Sequence, residues 1–236
     1  LFVTGPLVLT PDGEGQQTQS AITDAAQSWL DAIRSCSDLD IRITAAAPSP
    51  GRRVDGVNTI VWQNEAWPYA DAAIALTTLT YVDAEGRSDN GRIVDADIEL
   101  NGATRELGIV EEDGHVIDVQ AVTTHEIGHA LGLGHTCWDG ITPPIQPLDA
   151  RGVPVPDCFA ELPEDVDDTT MHPFSTPGDT RQRTPKADDV AALCAIYPRR
   201  DPNAACALGS TSGIAPLPGV LLLVVLAFAR RMRRFR

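Results

Sequence analysis

Residues 125–135 read His-Glu-Ile-Gly-His-Ala-Leu-Gly-Leu-Gly-His, and this spacing restricts the local fold more than any other stretch of the chain. On an α-helix, residues four apart differ by about 40° of rotation, so His125 and His129 leave one face and reach one ion. For His135 to add a third nitrogen, the helix must stop and the chain must turn back. Gly132 supplies the stop, because it adopts a left-handed backbone conformation that a side chain hinders. Three nitrogens with one open tetrahedral position describe a catalytic zinc and not a structural one. A zinc of this kind lowers the pKa of its water from 15.7 to about 7. Glu126, beside the first ligand, is the candidate general base that takes the water's proton and later hands it to a leaving amine.

Around this motif the sequence divides in order. The apolar first ten residues predict a strand and residues 12–19 a loop; Ile22, Ala25, Ala26, Trp29, Leu30 and Ile33 then recur at helical spacing and predict a helix over 20–36. Short β-like runs follow at 41–44, 59–62, 73–82 and 93–100, and turn formers over 83–91 predict an antiparallel connection between the last two. Residues 118–131 read as a second helix. Residues 137–170, rich in proline and acid, read as an irregular excursion. Thr184 as cap and Pro185 in the first turn open a third helix whose Val190, Leu193, Cys194 and Tyr197 share a face, and Pro198 ends it.

The length, 236 residues, suits one sizeable domain, here 1–200, with a linker at 201–212 and a tail at 213–236. Residues 213–229 carry no charge, and five arginines crowd the last seven positions. That stretch is just long enough for a bilayer of about 30 Å, with the arginines holding its end in the cytoplasm. The other reading is a hydrophobic terminal helix docked on the domain. With 18 basic and 33 acidic residues the net charge is −15, so a phosphate backbone would be repelled and nucleic acid is not an expected partner. Asp83, Glu85, Asp89, Asp95 and Asp97 flank one turn and are a candidate calcium site, although no spaced calcium-loop pattern is present. The five cysteines lack the close spacing of a cysteine zinc site. Disulfides are the simpler use: Cys137 with Cys158 and Cys36 with Cys194, leaving Cys206 over. Those pairs suit an exported protein, and Leu1 in place of Met reads as a processed or truncated form.

The motif, extended by Gly132 and His135 and followed by Met171, resembles the metzincin signature. The likeness is to the matrixin type and runs over residues 20–198: Thr136 stands where matrixins carry serine, and Met171-His172-Pro173 where they carry Met-Tyr-Pro. Asp188-Asp189-Val190 and Ala195-Ile196-Tyr197-Pro198 are similar to the matrixin ending. The resemblance implies an α+β, zincin-like fold: a twisted, mostly parallel five-stranded sheet, three main helices and a zinc in the cleft below the edge strand. It implies a metalloendopeptidase in which His125, His129 and His135 hold one zinc, Glu126 acts as base and acid, and Met171 forms a hydrophobic floor. Residues 73–82 would be the edge strand that pairs with an extended peptide. Ala75 and Leu76 on it, with Pro173 and Phe174, would line the substrate pocket.

Several departures shape the expectation further. Animal matrixins hold a second, structural zinc with three more histidines, but only His115 and His172 remain here, so no such site is expected. His172 is not expected as a fourth ligand, because the water needs an open position. The long excursion between His135 and Met171 would wall the primed side of the cleft, where the substrate lies C-terminal to the scissile bond. The tail resembles bacterial C-terminal surface-sorting signals of the myxobacterial type, in which a cysteine, here Cys206, precedes a short span and an arginine cluster. Together these readings predict an exported or surface-held monomer acting on proteins or peptides and attached to the membrane by its tail. The alternative is a zinc-binding adhesion domain without catalysis.

Overall fold

The computed structural model of the protein describes residues 1–12, 16–45, 51–111, 113–141, 143–149 and 151–200. The expected linker, terminal apolar helix and Cys206 lie outside the described residues. Among the described residues no helix is long and apolar enough to cross a membrane.

The fold is α+β. Five strands, β1 (Leu7–Pro11), β2 (Ile41–Ile43), β3 (Asn58–Trp62), β4 (Ala75–Tyr81) and β5 (Ile93–Leu100), form one sheet in the order β2-β1-β3-β5-β4. All neighbours are parallel except β4 with β5, whose antiparallel register places Thr77 opposite Ile98. As expected, β4 is the edge strand. Two further strands, β6 (Leu107–Gly108) and β7 (Ile117–Asp118), pair with each other; two residues each is too short for any sequence period to reveal.

Side-chain alternation on β5 sets the two faces of the sheet. Ala96, Ile98 and Leu100 join the apolar core with Leu7, Leu9 and Ile60. The core is closed by α1 (Gln16–Ile33), which contributes Ala25, Trp29 and Ile33, and by α2 (Val119–Ala130). Trp29 joins these helices, its indole Nε1–H donating to the Thr124 carbonyl at 2.8 Å. A short helix, α3 (Glu164–Asp167), interrupts the excursion, and α4 (Ala187–Ile196) buries Leu193 in the same core. Both expected disulfides are formed, Cys36–Cys194 tying the end of α1 to α4, and Cys137–Cys158 closing the excursion at its base.

On the opposite face of β5 lie Asp95, Asp97 and Glu99, all buried. A buried carboxylate is costly unless several donors meet it, and residues 53–69 supply them. Asp97 accepts from the Arg53 and Thr59 amides (2.8 and 2.9 Å) and from the Thr59 hydroxyl (2.6 Å). Asp95 accepts from the Gly56 amide (2.8 Å), and Glu99 from Gln63 Nε2 (2.7 Å) and the Tyr69 hydroxyl (2.5 Å). Asp83 and Glu85 are exposed, and Asp89 pairs with Arg87 and Arg92. The five carboxylates offered as a calcium site therefore split between a turn and a structural row, and form no common metal-holding group among the described residues.

Two boundaries differ from the sequence reading. Helix α1 starts at Gln16, inside the stretch read as a loop, because its first turn is polar and gives no apolar period. Helix α4 starts at Ala187 and is not capped by Thr184. Thr184 is extended (φ −127°, ψ 119°), as the residue before a proline tends to be, and residues Arg181–Arg183 form a 3-10 turn ahead of it. Lys186 is the N-cap residue instead; its amide donates to Asp189 three residues on (2.8 Å).

Candidate active site

Helix α2 carries the first two candidate ligands through the middle of the molecule. Its N-terminus is capped by Asp118, whose buried carboxylate accepts from the Ala121 amide (2.8 Å) and is paired with Arg183. At the other end Leu131 is the C-cap residue and Gly132 has φ +95°. The Gly132 amide donates to His129 O (2.8 Å) and the Leu133 amide to Gly128 O (3.0 Å), the paired bonds of a Schellman ending. The chain is thereby turned back toward the helix, as the glycine at this position implied. The ending is braced from outside. Tyr197 donates its hydroxyl hydrogen to the Leu131 carbonyl (2.7 Å) and accepts from the Val3 amide (2.9 Å), while a Cβ at Gly132 would lie 2.7 Å from the Leu1 carbonyl oxygen.

The turn brings the three imidazoles together. Nε2 of His135 lies 3.2 Å from Nε2 of His125 and 3.0 Å from Nε2 of His129. Nδ1–H of His125 donates to the Thr170 carbonyl (2.7 Å) and that of His129 to the Leu133 carbonyl (2.9 Å), which leaves both Nε2 lone pairs facing the common centre. Burial, with the neighbouring imidazoles adding to it, holds His125 well below the ordinary imidazole range and His135 down to about 3, so these two rings are neutral at pH 7. Three ring nitrogens this close to one point form a ready-made set of donors for a cation. Ligands about 2.0–2.1 Å from a tetrahedral zinc sit roughly 3.3 Å apart, close to the spacing here. The donor set fits zinc.

Glu126 is buried, and that burial raises its carboxyl pKa. Its partner is Thr77 of β4, whose hydroxyl lies 2.5 Å from Oε2 and 3.2 Å from the Glu126 carbonyl oxygen. Helix α2 and the edge strand are thus joined at the candidate base. Sequence reasoning missed Thr77, although a signal existed: Ala75 and Leu79, two residues to either side, pack against the core, so Thr77 shares their face. The same alternation separates the two expected pocket residues. Ala75 leaves the core face of β4 and Leu76 the opposite one.

Below the triad, Met171 is buried, with its Sδ against the backbone of Gly128. Its turn is held by groups to which the sequence reading gave no such role. Asp189 of α4 accepts from the Thr170 and Met171 amides (2.9 and 3.2 Å), Gln182 donates to the Thr170 and His172 carbonyls (3.1 and 2.5 Å), and the Thr136 amide donates to Met171 O (3.1 Å). Asp189 entered the sequence reading only within Asp188-Asp189-Val190, as part of the likeness to the matrixin ending. His172 stands apart from the triad: its Nε2 is 3.5 Å from Asp167 Oδ1, and it lies beside the Cys137–Cys158 sulfurs. His115 is exposed. Pro173 is half-buried, whereas Phe174 is exposed and its ring centroid lies 5.5 Å from that of His172.

Compared with known proteins, residues 34–149 match the family described as Matrixin, peptidase family M10. The match includes the three histidines and Glu126 and supports a zinc-dependent, matrixin-like peptidase. No curated protein matches the chain. Among solved structures it is similar to high choriolytic enzyme 1 (HCE-1), a hatching enzyme zinc-protease from Oryzias latipes (medaka fish). That similarity has 13% identity and a TM-score of 0.40 over 84% of this chain and 95% of that one.

Proposed function

We propose that the protein is a zinc-dependent endopeptidase acting on extended segments of protein substrates. The observation that carries the reading is the convergence of three Nε2 atoms beside a buried glutamate that the edge strand orients. His125, His129 and His135 would hold the metal, which when bound supplies an acidified water and polarises the scissile carbonyl. Glu126 takes the proton from the attacking water and delivers it to the leaving amine; burial, by raising its pKa, suits a group that must hold that proton between the two steps. Thr77 keeps the carboxylate aimed. The outer edge of β4 has no strand partner among the described residues, and an extended peptide laid along it would gain main-chain hydrogen bonds whatever its sequence.

The test uses the full chain, comparing wild type with Glu126→Gln for bound zinc and for cleavage of casein. One equivalent of zinc in both and cleavage only in the wild type is expected. A wild type that holds zinc yet cleaves nothing across a broad peptide library would make this a binding domain instead.

We further infer export to the cell surface. Two disulfides suit an oxidising compartment, and the uncharged run 213–229 ahead of the arginine cluster suits membrane attachment. Fractionation of cells making the full chain, beside a version ending at Ser212, tests the attachment. Equal release of both would exclude it.

A further inference from the structure

We propose that Phe159, seated against Phe174 by the disulfide-closed excursion, is a specificity-determining residue: an aromatic shelf beside the metal site that takes a bulky apolar side chain of the bound peptide. The proposal rests on the peptidase reading. Cys137 stands two residues after His135, and its disulfide holds Cys158 with a Cα–Cα distance of 4.9 Å. The residue that follows is therefore tied by a covalent link to the segment that leaves the third ligand. Backbone bonds fix the seat: Trp138 N donates to Pro156 O (2.7 Å), Cys158 N to Trp138 O (3.0 Å), and the Phe159 amide to Asp157 Oδ1 (2.8 Å). Phe159 then meets Phe174 with ring centroids 5.7 Å apart, and Phe174 meets His172, the residue after Met171. A series of ring contacts thus runs from the turn beneath the triad out to the excursion.

Despite this anchoring, Phe159 is 75% exposed and Phe174 42%. A lone exposed phenylalanine is ordinary on any surface. Here two are paired, one following the disulfide and the other following the turn of Met171, with ring area left open. Aromatic rings prefer offset or edge-on partners and gain from apolar burial, so the open area suits Phe, Tyr or Leu and disfavours Gly or a carboxylate.

The experiment compares full-length wild type, Phe159→Ala and Phe159→Tyr on fluorogenic peptides varied one position at a time. In the wild type one position should prefer Phe over Ala. The ratio of kcat/KM for that pair should fall about tenfold in Phe159→Ala and return in Phe159→Tyr. Phe159→Leu, which keeps an apolar side chain without the ring, reads the same ratio where the alanine variant folds poorly. A ratio that is the same in every variant at every position overturns the shelf. Binding is measured in parallel by fluorescence anisotropy of labelled peptides on zinc-loaded Glu126→Gln, with and without Phe159→Ala. Peptide binding that depends on Phe159 while the wild type cleaves nothing would sink the peptidase reading and leave the shelf standing. Neither binding nor selection depending on Phe159 would sink the shelf whatever the cleavage.

Discussion

The sulfur of Met171 rests so closely on the backbone of Gly128 that a Cβ built there would come within 2.3 Å of it. Glycine within a helix costs about 1 kcal/mol relative to alanine, yet at this position it lets the methionine sit under the triad. Trp29 closes the other side, 3.1 Å from the same Cβ. Gly128→Ala should therefore destabilise the fold by about 1–3 kcal/mol through overpacking, against its helix propensity. Zinc should also bind more weakly. Denaturant unfolding and zinc titration measure both; a gain of stability in the variant would show that Met171 moves aside freely.

Thr77 reaches Glu126 across the gap between sheet and helix. A hydrogen bond to a charged group contributes about 1.5–3 kcal/mol, so Thr77→Val, with its shape kept, should lower kcat/KM by about tenfold or more. Thr77→Ser should restore most of it. Zinc content should stay at one equivalent in both. Unchanged kinetics in the valine variant would remove Thr77 from any role in aiming the base.

Arg183 links Asp118, at the head of α2, to Glu111. Its hydrogen bonds hold the Glu111 carboxyl down to about 2, below its unfolded value. A carboxylate depressed in this way contributes stability that is fully present above its unfolded pKa and is lost as pH falls toward the folded one. Glu111→Gln should thus lower Tm slightly at pH 7 and flatten the loss of stability between about pH 5 and 2. Because the Glu111 side chain is 61% exposed, added salt should shrink the difference between variant and wild type. A difference that survives 1 M salt would point to packing instead.

The two disulfides should separate in their effects. Cys36–Cys194 spans 158 residues and Cys137–Cys158 only 21. Loop-closure entropy makes the first worth about 2 kcal/mol more than the second. Replacing Cys36 and Cys194 by alanine should lower Tm more than replacing Cys137 and Cys158, a ranking that thermal unfolding of the two double variants checks directly.

What the sequence revealed follows from how local each feature is. His125, Glu126, His129, Gly132 and His135 lie on one helix and its ending, where a fixed rotation per residue converts spacing into geometry, so their convergence was readable. The edge position of β4 came with the family resemblance, and its antiparallel pairing from the turn formers that precede β5. By contrast, Thr77, Gln182 and Asp189 act across the fold. Thr77 meets Glu126 from 49 residues away, and Asp189 reaches Met171 from 18. No local period encodes such a meeting. The misplaced start of α4 has a different origin: Thr184-Pro185 is a good opening by composition, but the carboxylate of Asp189 and the extended backbone before Pro185 favour a start at Ala187. For the acidic residues of β5 the parity was visible and the partners were not, because the loop that crosses them comes from before β3 and after it.

Val3 and Tyr197 share one hydrogen bond although 194 positions separate them, and the same phenol closes on the end of the helix that carries His125 and His129. The order in which the chain visits its elements is therefore not what holds the triad together. A circularly permuted version, with residues near 3 and 197 bridged by a short linker and the cut moved to the exposed turn between β4 and β5, would leave every ligand on the same scaffold. The fold around the three histidines is in this sense a ring.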